Sequence, residues 1–181
     1  MTDHDDLAQE DADLLGGFVG NEPPDLSSAP GVRRGNSILF EYGTLETTFR
    51  IAVTGSGFAF ETRDKGSSWA LAEFSRLDDA ERFVLLWEGA RRDPAPWSGG
   101  LPTVPDGVVV LEDHPGKVLR WDAGGEDHVA RALSDESSTL VCQLAWVRSR
   151  SLPEVLAVVD SVDPGRRVSS AWLDSVRGEA S

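Results

Sequence analysis

Apolar and polar positions alternate along "LETTFRIAV", residues 45 to 53. Leu45, Thr47, Phe49, Ile51 and Val53 fall on one side, and Glu46, Thr48 and Arg50 on the other. A period of two marks a strand with one buried and one wet face. "SILFEY" before this run, and "FAFET" and "SWALAEFS" after it, read as further strands. "TGSG" joins two of them and reads as a hairpin turn. A phosphate-binding loop would need a glycine-rich turn that opens a helix, so that several backbone N–H groups converge on one anion. Here a strand follows the glycines, and the turn reading wins.

The period changes in "LDDAERFVLLWEGARR". Ala80, Phe83, Val84, Trp87 and Ala90 form one helical stripe. Asp78 and Glu81 have the spacing of a capping box. Glu88 and Arg92 are spaced to pair across a turn, and Pro94 ends the helix. A Pro- and Gly-rich connection holding Trp97 follows. "VVVLED" and "KVLRWD" flank the turn "HPG" as a second hairpin. "DHVARAL" and "TLVCQLAWV" make a third across "SDESS". The last of these runs is apolar on both faces, which predicts a central strand covered on both sides. "SLPEVLAVVDSV" predicts a closing helix, capped by Ser151 and Glu154 with Pro153 in its first turn. Near the start, Leu7, Leu14, Leu15 and Phe18 share one side of a short helix that docks on the domain.

Strands in runs, broken by two or three helices, predict an α+β fold: a mainly antiparallel sheet built from hairpins, with the helices mostly on one face. The domain reading is an acidic segment with a short helix and linker over 1–31, one α+β domain over 32–168, and a tail over 169–181.

The chain has 181 residues and a formal net charge of −14. That charge argues against nucleic acid or an anionic membrane as partner, since both need clustered Lys and Arg. Residues 1–30 carry eight acids and no Lys or Arg. No apolar run is long enough for a membrane span. The start has no hydrophobic signal segment, and Cys142 is the one cysteine. These features predict a cytoplasmic protein.

The catalytic inventory is thin. His4, His114 and His128 are not within helical reach of one another, so no metal motif forms in the sequence. Cys142 lies in an apolar run with no charged neighbour and reads as a small hydrophobe. The acid pairs Asp78-Asp79, Glu112-Asp113, Glu126-Asp127 and Asp135-Glu136 sit at helix starts, strand ends or turns. No catalytic, cofactor-binding or metal-ligating residue is assigned. Trp97, in its irregular loop, does not fit the core by periodicity, and tryptophan is enriched at binding hot spots.

The stretch "GNSILFEYGTLETTFRIAVTGSGFAFETRDKGSSWALAEFSRLDDAERFVLLWEGARRD" resembles an immunity family of bacterial polymorphic-toxin systems, of the tuberculosis necrotizing toxin antitoxin type. Gly57-Phe58 and Asp64-Lys65 fall at the family's Gly-aromatic and charged-loop positions, with Lys65 where an arginine is expected. A weaker match spans the "SDESS" region. The resemblance implies a non-enzymatic α+β protein, without cofactor, that binds a cognate toxin domain. That toxin would be an NAD glycohydrolase, blocked at its active site. On this reading Arg63, Asp64 and Lys65, with Trp97, contact the toxin: the two cations fill space meant for phosphates, while the surrounding acids steer the toxin in. A cytoplasmic chaperone for a secreted substrate and a small enzyme remain as alternatives.

Overall fold

The computed structural model describes residues 8–19, 38–44, 46–92, 104–113 and 116–160. Among these residues, seven strands form one antiparallel sheet in the order β1-β2-β3-β4-β7-β6-β5. The strands are β1 (Ile38–Gly43), β2 (Thr47–Thr54), β3 (Gly57–Asp64), β4 (Ser67–Phe74), β5 (Val108–Asp113), β6 (Gly116–Ala123) and β7 (Glu126–Ala132). Four helices accompany them: α1 (Gln9–Phe18), α2 (Leu77–Arg92), α3 (Asp135–Val147) and α4 (Leu152–Asp160). The fold is α+β, as the strand runs predicted.

Two meanders make the sheet. β1 to β4 form one and β5 to β7 the other. They join where β4 meets β7 over three residue pairs, Ala72–Ala132, Glu73–Arg131 and Phe74–Ala130. Gly55 and Ser56 connect β2 to β3 as a tight hairpin turn. A side chain on Gly57 would run into the Phe74 carbonyl, so glycine is required there.

α2 lies against β3 and β4, and α3 against β6 and β7. Between α2 and the first meander sits an aromatic cluster. Phe60 meets Phe83 at 5.4 Å and Trp87 at 5.5 Å between centroids, and Phe74 meets Phe83 at 5.2 Å. α1 docks on α2 and α4 through Leu15 and Phe18, both buried. The predicted amphipathic helix is therefore present. Its Leu7 lies outside the described residues.

One expected strand is a helix. "TLVCQLAWV" belongs to α3, not to a hairpin with 127–133. Ser134 caps α3, accepting from the Ser137 N–H while the Ser137 side chain accepts from the Ser134 N–H. "SDESS" is thus a helix start. The run looked two-faced because α3 is wedged between the sheet and α2, so Leu140, Val141, Leu144, Ala145 and Val147 are all buried. Periodicity cannot separate such a buried helix from a central strand.

Smaller corrections concern α2. It begins at Leu77, so Asp78 and Asp79 lie inside its first turn rather than at the cap. There they face the positive end of the helix dipole. Glu88 pairs with Arg91 at 3.0 Å, three residues on, and the Arg92 side chain lies outside the described residues. Val53 is partly exposed at the sheet's end, while Thr48 on the opposite face is buried. The wet face of β2 is therefore only partly wet.

Among the described residues no helix is long and apolar enough to cross a membrane.

Candidate functional site

β3 and β4 run into a two-residue turn, Lys65 and Gly66, flanked by the pair Asp64–Ser67. Lys65 has φ +46° and Gly66 +92°, the double positive φ of the hairpin turn whose twist matches the strands. Two contacts fix the turn to its neighbour, and a third closes that neighbour. The Lys65 N–H donates to the Glu46 carbonyl at 3.1 Å. The Thr47 hydroxyl donates to Asp64 Oδ1 at 3.4 Å. The Thr44 N–H donates to the Thr47 carbonyl at 2.8 Å. The β1–β2 and β3–β4 turns therefore form one ledge at the end of the sheet.

Arg63 and Lys65 are exposed on this ledge, and Asp64 is half-buried. Trp69, on β4 of the same hairpin, is 48% exposed. It pairs across the ladder with Thr62, on the side of the sheet opposite Arg63. Because β7 pairs with β4 only at 72–74, Ser67 to Ala70 have no strand partner on that side among the described residues. β3 stays paired with β2 as far as Asp64, so the unpartnered edge here belongs to β4 alone. Arg63, Lys65 and Trp69 are exposed on this hairpin arm, with Trp69 on the opposite face from Arg63.

The sequence reading placed Arg63, Asp64 and Lys65 here and missed Trp69. Its neighbours "SSWALAEF" read as a strand, and strand tryptophans default to the core. The exposure of Trp69 follows from the unpartnered edge of β4, which only the β4–β7 register reveals. Trp97 and His114 lie outside the described residues.

A second polar constellation is buried. Asp79 in α2 meets His128 in β7, Oδ2 to Nδ1 at 2.6 Å. Arg82 Nη1 donates to Asp78 at 2.9 Å and to Asp79 at 3.1 Å. Its Nε–H donates to the Arg150 carbonyl at 2.7 Å. The Trp121 ring stacks on His128 at 5.4 Å. Burial raises the Asp79 carboxyl to about 6, with the Asp78 charge adding to it, while the hydrogen bond from His128 and the Arg82 charge pull it back. Donor atoms of Asp78, Asp79 and His128 lie within 4.8 Å of one another. Three such donors suit a divalent cation, but the Arg82 guanidinium already bridges both carboxylates and supplies the positive charge. Asp79 and His128 are both buried. The network pins the start of α2 to β7 and to the α3–α4 connection. Its partners are 49 residues apart in sequence, beyond the reach of motif spacing.

The acid pairs of the second meander are occupied as well. Glu112 pairs with Lys117, Asp113 with Arg131, Glu126 with Arg76 and Asp127 with Arg120. The Asp135 and Glu136 side chains lie outside the described residues. Cys142 is buried in α3, and burial pushes its thiol above the usual range, which makes it a poor nucleophile.

The class these observations define is an α+β protein with a seven-stranded antiparallel sheet. No protein-family model matches the chain, and no curated protein does. Among solved structures, the chain is similar to "Rv3902c from M. tuberculosis", with a TM-score of 0.55 and 14% identity, covering 91% of this chain and 94% of that one. At that identity the likeness concerns the fold.

Proposed function

We propose that the chain is an immunity protein. It binds a cognate secreted toxin domain, an NAD glycohydrolase, and blocks its active site. The observation that carries this reading is the β3–β4 arm: Arg63 and Lys65 are exposed at its end, and Trp69 is exposed on the other face from Arg63. Tryptophan and arginine are residue types enriched at interface hot spots. The resemblance of residues 36–92 to toxin-immunity proteins gives that arm a partner class. The whole chain carries a net charge of −14, and a charge of that size draws in a basic partner surface and speeds encounter. Among the described residues, the buried His128–Asp79 pair is already held by Arg82, which suits a structural role.

The test is toxin inhibition. The toxin domain encoded beside this gene is assayed for NAD hydrolysis with increasing amounts of the protein. Stoichiometric loss of activity is expected. Full activity at a large molar excess would overturn the proposal. Binding to an unfolded segment of the toxin, with no effect on the folded domain, would instead mark a chaperone.

A further inference from the structure

The sheet has two outer strands, and they differ. In β1 the register slips between Ile38 and Phe40, and a bulge of this kind discourages edge pairing. β5 has no slip: its six residues, Val108 to Asp113, pair in continuous register with β6. Its sequence, VVVLED, holds no Pro and no Lys, the residues that usually blunt an edge. Among the described residues, no strand lies on its other side.

The outward backbone groups can be assigned. The Val108 N–H bonds the Pro105 carbonyl at 3.3 Å rather than β6. Amides alternate in direction along a strand, so those of Val110 and Glu112 also turn away from β6. On the sheet face without α2 and α3, Val109 is 57% exposed and Leu111 48%. The charges around them are already paired, Arg120 with Asp127 and Arg131 with Asp113. An apolar centre within a neutralised polar rim is the anatomy of an interface.

We propose that the free edge of β5 pairs antiparallel with the same edge of a second copy of this chain, around a two-fold axis at Val110. The strand is complementary to itself in that register. Val110 faces Val110 of the second copy, through the outward amides of both. Val109 faces Leu111 of the second copy, and Leu111 faces Val109 of the second copy, on the same sheet face. Glu112 falls opposite Val108 of the second copy, so no two acids meet. A two-fold axis makes each contact occur twice and closes the assembly at a dimer. Each chain brings a net charge of −14, so long-range repulsion opposes pairing and salt relieves it. This inference does not depend on the toxin-binding reading.

Analytical ultracentrifugation of the full chain, from micromolar to millimolar concentration, tests it. A monomer–dimer equilibrium is expected, shifted toward dimer at about 1 M salt relative to physiological salt. Leu111→Lys places a charge at the centre of the patch and should weaken the dimer by roughly tenfold or more, with the circular dichroism spectrum unchanged. Val110→Pro removes an outward N–H that β6 does not use and should do the same. A wild-type chain that stays monomeric throughout would overturn the proposal. So would a dimer that survives both substitutions.

Discussion

Lys65 holds a φ of +46° at the first position of its turn. That region costs a non-glycine residue about 1 kcal/mol, and Asn or Asp is the usual occupant. Lys65→Gly should therefore raise stability by roughly 0.5–1 kcal/mol, read as a higher denaturation midpoint. On the proposed function, the same change should also weaken toxin binding, because it removes one of the two cations on the arm. Gln143 poses a different residue-level cost. It is fully buried in α3, and among the described residues neither atom of its side-chain amide has a hydrogen-bond partner. An unsatisfied buried polar group costs about 1–3 kcal/mol. Gln143→Met keeps the volume and should stabilise the fold by an amount in that range, measured by urea denaturation.

At the scale of elements, the docking of α1 on α2 encloses a carboxylate. Burial raises Glu81 to about 7, with Asp11 of α1 and Asp78 adding to the shift and Arg82 opposing it. A carboxyl raised in the folded state is favoured in its neutral form. Its stabilising contribution is complete below its unfolded value, near 4.5, and is lost as pH climbs through about 7. Glu81→Gln imitates the neutral form. It should leave the melting temperature unchanged at acidic pH and raise it at alkaline pH. Equal effects at both ends would contradict this placement of Glu81. The elements also show what sequence pattern can reach. The β5–β6 hairpin and α4 were legible because each has a solvated side, and the β2–β3 hairpin because a glycine turn joins two alternating runs. The α2 stripe from Ala80 to Ala90 is buried nearly all round and was legible because Asp78, Asp79, Glu81, Arg82 and Glu88 break up its apolar run. α3 was not, because a helix covered all round loses the polar face that reveals its period. The cap at Ser134 was the available signal, and "SDESS" resembled a turn equally well.

On the scale of the whole molecule, long-range pairing places the chemistry. Asp79 and His128 come together because the second meander returns to pair β7 with β4 beneath the start of α2. The same short β4–β7 ladder leaves Ser67 to Ala70 with no strand partner on that side among the described residues and so exposes Trp69. Neither consequence is written in local periodicity, whereas Arg63, Asp64 and Lys65 were visible as a charged break between two strands. An acidic chain with an exposed aromatic and cationic arm makes one central claim: the arm carries the partner contact. The most direct measurement is calorimetry of the toxin domain against the wild-type protein and against a variant with Arg63, Lys65 and Trp69 all replaced by alanine, its fold verified by circular dichroism. The account predicts a loss of about 2 kcal/mol or more, the scale of a hot spot. A change below about 0.5 kcal/mol, the scale of an ordinary surface substitution, would contradict it and leave the arm a solvated corner of the sheet.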